Sequence, residues 1–439
     1  MEKLQSYSVH GKELPVPSYF TIYNIGGGGG DRTRAVVYMD LYRNIPQLHN
    51  YYYLTLKAKT TFDVKTLKNL SSYNDFSDFL KYMRGELIKE KKYSNKHKFL
   101  PVKYNKIIFL LDSGAKNILY DIAKEKLGKK GNKSVVDAFI NSMDDYYDFA
   151  NQHKFDFVIS FDTGGKYTFK DNEKKNQKLV EFDRYVSNNK ISINIKILEK
   201  TLIYLKQHAD FYPCVFATIH GNTPEEYKKY TRTVLGLEKK YNYKFWGFAL
   251  GGVASAKGAD SSWLKGYKKE SGESKNSFIS SLAAKIVHKI VGNRPIHALG
   301  AGGYQNIDSL YKNGVTSFDS NTPNRRVGDG SAKIAHKIMH SSKLKSAPQY
   351  LIGKTNSQMK NINSKLEQQY KPINEILDTI KLCGCPACEE VRCFNDIKKL
   401  YAKGSTKIED FYLSRQLICA HSCWQHVFMC MRYWIDWEE

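Results

Sequence analysis

Six short apolar runs recur along this chain, each stopping at an acid, a glycine or another small polar residue. They are KIIFLLDSG (106–114), FDFVISFDTGG (155–165), CVFATIHGN (214–222), FWGFALGG (245–252), PIHALGAGG (295–303) and GVTSFDS (314–320). Near-continuous apolarity marks strands buried on both faces, since a strand with one wet face alternates. Between several of them lie stretches of helical length: 134–153, 223–241 and 277–291. Such alternation implies right-handed parallel crossovers, and six or more units leave either a doubly wound sheet or a closed barrel of eight. An open sheet gathers its chemistry at one switch point, whereas a barrel gathers it at the carboxyl ends of many strands. Polar endings recur on at least five of the runs, so the expected fold is α/β, a (β/α)8 TIM-like barrel.

Before residue 100 the pattern is weaker. The run NIGGGGGDRTR (24–34) lacks the spacing and the Lys-Ser/Thr ending of a phosphate-binding loop, so a mobile loop is expected there. NYYYLTLKAKTT (50–61) is expected to be a strand, while the lysine- and asparagine-rich segments 90–98 and 340–372 suit solvated faces or linkers. All the cysteines but Cys214 crowd into 383–430, which suits a metal site in a reducing compartment better than a disulfide framework. The chain accordingly divides into a catalytic barrel over 1–372 with a divergent N-terminal region, and a C-terminal structural zinc-binding subdomain with a terminal helix over 373–439.

No apolar run approaches the ~18 residues needed to span a bilayer, and the first twenty or so residues carry no export signal, so a cytoplasmic protein without membrane contact is expected. The 68 Lys and Arg against 44 Asp and Glu give a net charge of +24. That excess points to a polyanionic partner, nucleic acid first, although a lysine-rich solvated surface alone would look the same.

Three runs end in aspartate: Asp112, Asp162 and Asp319. One such acid alone is more often a helix cap than a catalyst. Three on a shared barrel mouth are different, because crowded carboxylates have their pKa values forced apart and supply both a nucleophile and a proton shuttle, as in enzymes that break glycosidic bonds. The second cluster is CGCPACEEVRC (383–393), followed by LICAHSCWQH (417–426). Cys383, Cys385 and Cys388 offer three thiolates on a tight loop, and His421 or His426 would complete a closed, structural Cys3His zinc site. Cysteines packed as small hydrophobes are the plainer alternative.

Taken together these motifs resemble the tRNA-guanine transglycosylase family, zinc-bearing (β/α)8 barrels that exchange guanine for a 7-deazaguanine base. The likeness covers about 106–326 and returns at 383–433. LLDSGAKN resembles the family's Asp-Ser-Gly-Gly motif, which implies that Asp112 is the acid/base carboxylate, with Ser113 beside the base. SFDTGG implies base recognition by Asp162, and His220, Gly221, Gly251 and Gly252 would complete the pocket, with Leu299 packing on the base. FDSNTPNRR is similar to the family's nucleophile strand: Asp319 would attack the sugar carbon, while Arg325 and Arg326 would grip a flanking phosphate. CGCPAC…H matches the zinc pattern with His421 as fourth ligand to Zn2+.

The chain also departs from that pattern. Ala115 and Lys116 stand where the family has a glycine and a stacking aromatic. Lys257 stands near a bacterial glutamate that recognises an aminomethyl substituent, which favours a nitrile-bearing base, 7-cyano-7-deazaguanine (preQ0). The stretch from Asp319 to Cys383 is long for a tRNA enzyme. With the basic charge, these departures resemble the DNA-modifying branch of the family found in bacteria and their phages, in host cytoplasm if phage-encoded. The expected partners are DNA in preference to tRNA, touched by Lys116, Lys257 and the arginines, and a 7-deazaguanine base, with a helper enzyme or a homo-oligomer possible. Action on tRNA, or a non-catalytic nucleic-acid-binding subunit, are the alternatives.

Overall fold

The computed structural model describes residues 6–22, 45–55, 67–89, 102–165, 169, 173, 176–254, 260–268, 274–303, 306–323 and eight positions between 423 and 433. Two short strands, β1 (Ser6–Val9) and β2 (Lys12–Pro15), form an antiparallel hairpin. Eight more close a barrel: β3 (Ser18–Ile22), β4 (Gln47–Asn50), β5 (Phe109–Asp112), β6 (Phe157–Ile159), β7 (Cys214–Ile219), β8 (Gly247–Leu250), β9 (Ile296–Ala298) and β10 (Ser317–Asp319). All neighbours are parallel, and β10 pairs both β9 and β3, which excludes the open doubly wound sheet. The six apolar runs supply β5 to β10. The first two barrel strands come from the N-terminal region, where the sequence pattern is weakest.

Side chains on a strand alternate between faces, so each barrel strand sends every second residue inward. Phe20, Ile22, Leu48, Leu110, Phe157, Ile159, Phe216 and Ala249 make the interior cluster, and the outward set packs with the surrounding helices in a second, larger one. Val9 and Leu14 of the hairpin join the interior cluster from below. The hairpin turn, His10 and Gly11, has positive φ at both positions (50° and 74°), the geometry whose twist matches a two-residue connection.

One ion pair anchors this plug. Lys12 Nζ lies 2.8 Å from Asp156 Oδ2 and donates to Ile107 O, and the same carboxylate oxygen accepts from Phe109 N. Asp156 is wholly buried and Lys12 nearly so. Asp156→Ala strands a buried ammonium, so a loss of about 3 kcal/mol is expected by denaturant titration. An unchanged midpoint would show that the pair does not hold the hairpin.

The helices follow their sequence signals. Pro224–Tyr241 starts with Thr223 accepting from Glu226 N and a proline in the first turn, and ends at Asn242 in the left-handed region. The stretch 134–153 is two helices rather than one, Asn132–Asn141 and Met143–Gln152, parted at Ser142, whose hydroxyl donates to Phe139 O. The strand expected over 50–61 is also corrected where the structure describes it, up to residue 55; 56–61 lie outside the described residues. The extended segment ends at Asn50, and Tyr51–Leu54 is a helical turn. The cause is local: Asn50 Oδ1 accepts from Tyr52 N and caps the turn, an alternative to continuing the strand. No helix among the described residues is long and apolar enough to cross a membrane.

Candidate active site

The inward parity that fills the interior also decides what stands at its open end. Continued upward, it brings Asn50, Asp112, His220, Gly251, Leu299 and Asp319 to the carboxyl rim, opposite the hairpin plug. Asp162 and Asp319 lie close enough to Asp112 there to act on its charge. Burial pushes the Asp112 carboxyl up to about 7, and the Asp162 and Asp319 carboxylates add to the shift.

Asp319 is buried at the end of β10. Its Oδ1 lies 3.1 Å from His297 Nε2 and accepts from Gly300 N at 2.9 Å. With Nε2–H given to the carboxylate, His297 Nδ1 accepts from the Ser317 hydroxyl at 2.9 Å. The ring is fixed between Phe20 and Phe216 inside the barrel. Both protein hydrogen bonds fall on Oδ1, and Oδ2 carries none among the described residues. Below, the Tyr19 hydroxyl donates to Ser320 O, and its ring lies 4.9 Å from that of His426, so the C-terminal segment braces the strand bearing Asp319.

Asp112 accepts from Asn50 Nδ2 at 2.7 Å. The Asn50 amide is thereby oriented at both ends, since its Oδ1 holds the Tyr52 N–H. Gly114 is required beside it: its φ is +60° and a Cβ would stand 2.5 Å from Asn50 Oδ1. Ser113 is buried and its hydroxyl oxygen accepts from Ala115 N, starting the helix Ala115–Lys126. Lys116, one residue on, lays its stem against Gly164.

Asp162 holds two partners, Gly164 N at 3.0 Å and His220 Nε2 at 2.8 Å. Burial lowers the His220 pKa, the nearby Lys190 charge lowers it further, and Asp162 opposes both. A neutral imidazole must place its proton on Nε2 to meet the carboxylate, which leaves Nδ1 a bare acceptor, and that buried atom has no hydrogen-bond partner among the described residues. Gly251 is pressed on the same ring: a Cβ would come within 2.7 Å of His220 Cε1.

A cavity of about 300 Å³ opens beside His220, lined by Thr163, Asp183, Lys190, His220, Gly221, Gly251, Gly252 and Asp260 among others. None of Asp112, Asp162 and Asp319 lines it. Leu299 is half-buried and packs on the interior cluster.

Of the residues singled out in the sequence, the structure thus gathers Asp112, Ser113, Lys116, Asp162, His220, Gly221, Gly251, Gly252, Leu299 and Asp319 at one rim. Lys257, Arg325, Arg326 and the zinc ligands Cys383, Cys385, Cys388 and His421 lie outside the described residues, as do the glycine run and both lysine-rich segments. His426, the rival fourth ligand, is buried. Asn50, Lys190 and His297 are the site residues that sequence reasoning passed over. Strand parity was a usable signal for His297, two residues before Leu299. Nothing local marks Asn50 or Lys190. No protein-family model and no curated protein matches the chain.

Proposed function

We propose that this chain is a base-exchange transglycosylase, a pentosyltransferase that replaces guanine in DNA with a 7-deazaguanine such as preQ0. The observation that carries this reading is a pair of unlike carboxylates on one barrel mouth: Asp319 with an oxygen free of hydrogen bonds to the described residues, and Asp112 with its carboxyl pushed up to about 7. Double displacement at a sugar carbon needs both.

In the first half, Asp319 Oδ2 bonds to C1′ as the C1′–N9 bond breaks, and the departing guanine takes its electron pair and a proton from Asp112. In the second, Asp112 removes the N9 proton of the incoming base, N9 attacks C1′, and the ester bond to Asp319 opens. Two inversions restore the original configuration. Asp162 and neutral His220 read the edge of the base, with Gly221, Gly251, Gly252, Ser113 and Leu299 shaping its pocket. Lys116, Lys257, Arg325 and Arg326 hold the phosphates, and the +24 net charge makes affinity fall steeply with salt. A guanine inside a duplex cannot reach this rim, so the nucleotide is flipped out or the substrate is single-stranded. One structural zinc on Cys383, Cys385, Cys388 and His421 belongs to this reading and takes no part in the chemistry.

The direct test incubates the pure protein with radiolabelled guanine or preQ0 and either DNA or tRNA, and counts the label in each polymer. Label in DNA is expected. Label in tRNA alone would establish the tRNA enzyme, and label in neither, with DNA still bound, would leave a binding subunit.

A further inference from the structure

Lys190 lines the cavity, and the proposed chemistry gives its amine no task. It opens the helix Lys190–Gln207, immediately after the helix Gln177–Asn188. One turn on, Asn194 fixes that helix to the strand end: its Oδ1 accepts from Thr163 N at 2.9 Å and its Nδ2 donates to Thr163 Oγ1 at 3.1 Å. Thr163 follows Asp162 in the chain, so the Lys190 backbone is held in register with the carboxylate that reads the base.

The side chain turns into the cavity. A Cβ built on Gly252 would stand 3.8 Å from Lys190 Nζ and 4.0 Å from His220 Nδ1, so the donor and the bare acceptor flank one point above that glycine. Gly252 has φ +76° and no side chain to fill the space. Lys190 is half-buried and makes no hydrogen bond or ion pair among the described residues. The charges that act on it are Asp162 and Lys116, and burial lowers its pKa.

We propose that Lys190 is a specificity-determining residue: its amine donates to an acceptor substituent on the incoming base, such as a nitrile or a carbonyl, and rejects a cationic aminomethyl one. The proposal deepens the transglycosylase reading and rests on it for the identity of the ligand. The physical basis is the cavity itself. His220 lines it and none of Asp112, Asp162 and Asp319 does, so it would take a substituent and not the scissile bond. An acceptor there completes an otherwise unpaired donor. An ammonium instead meets the like charge of Lys190 and leaves that amine unsatisfied; of the carboxylates on the cavity wall, Asp183 already accepts from the Tyr120 hydroxyl and Asp260 is exposed and accepts from Ser262 N.

The test measures equilibrium binding of two free bases, 7-cyano-7-deazaguanine and 7-aminomethyl-7-deazaguanine, to the full chain and to Lys190→Met and Lys190→Glu, by calorimetry at pH 7. The wild-type chain is expected to favour the nitrile by roughly ten-fold or more. Lys190→Met should bring the ratio near one, and Lys190→Glu should invert it. A ratio unmoved in both variants, a wild-type preference for the aminomethyl base, or no binding of either base overturns the proposal. Polymer labelling is read separately. Binding ratios that behave as expected while no polymer is labelled sink the transglycosylase and leave the Lys190 site, and labelled DNA with an unmoved ratio does the reverse.

Discussion

Asp319→Asn should abolish base exchange, by at least about a thousand-fold, while leaving the fold and nucleic-acid binding intact. The substitution is nearly isosteric, and its remaining oxygen can still take the Oδ1 position that accepts from His297 Nε2 and Gly300 N. What changes is the other atom. An amide nitrogen at the Oδ2 position has no lone pair able to bond to C1′, so the glycosyl-enzyme cannot form, and losing a covalent nucleophile removes several powers of ten in rate. Quenched reactions of the wild-type chain with DNA should show, by intact mass, a polymer-linked species that the variant lacks. Exchange by Asp319→Asn within ten-fold of wild type would remove Asp319 from the chemistry and with it the double displacement. His297→Ala is the graded companion: it removes one of the two bonds that orient Oδ1.

The second large effect is on pH dependence. Asp112 has its pKa raised from 3.8 to about 7, so near neutrality a substantial fraction carries the proton that the leaving guanine needs. Release of guanine in a single turnover should therefore fall about ten-fold per unit as pH rises above about 7. Asp112→Asn should lose that limb together with about a hundred- to ten-thousand-fold of rate. Asn50 donates to the ionised carboxylate and so lowers this pKa, which means that Asn50→Ala should move the limb to higher pH. Stability follows the same linkage. The folded chain holds a proton on Asp112 that the unfolded chain gives up near pH 4, so this group's contribution is most favourable below about 4. It declines as pH rises from there to about 7, and Asp112→Asn should flatten that slope in urea titrations. A limb that survives the asparagine unchanged would assign the proton to another group.

The barrel keeps these roles apart from stability. Lys12, Asp156 and the hairpin close the amino end, where the consequence of substitution is unfolding. The carboxyl end bears groups whose hydrogen bonds are left open. His220 Nδ1 is a buried polar atom without a protein partner among the described residues, costly to leave so unless a ligand completes it, and Asp319 Oδ2 and Lys190 Nζ stand at the same rim with no hydrogen bond to the described residues.

By itself the sequence determined the parts with short-range causes. Continuous apolar runs of strand length, acids at their ends and capped helical stretches between them are local patterns, and β5 to β10 with Asp112, Asp162 and Asp319 could be read from them. Local patterns failed at Asn50, where one side-chain hydrogen bond turned an expected strand into a helical turn, and at Ser142, where one expected helix became two. Only the tertiary structure decided that β10 closes on β3, a pairing of Ser317 with Ser18 that joins the last barrel strand in the chain to the first. Closure then set Asn50 on Asp112, His297 on Asp319 and the Lys190 amine beside His220. Those approaches join residues far apart in the chain, and no periodicity along a chain encodes which distant side chain will meet an acid once the ring of strands has closed.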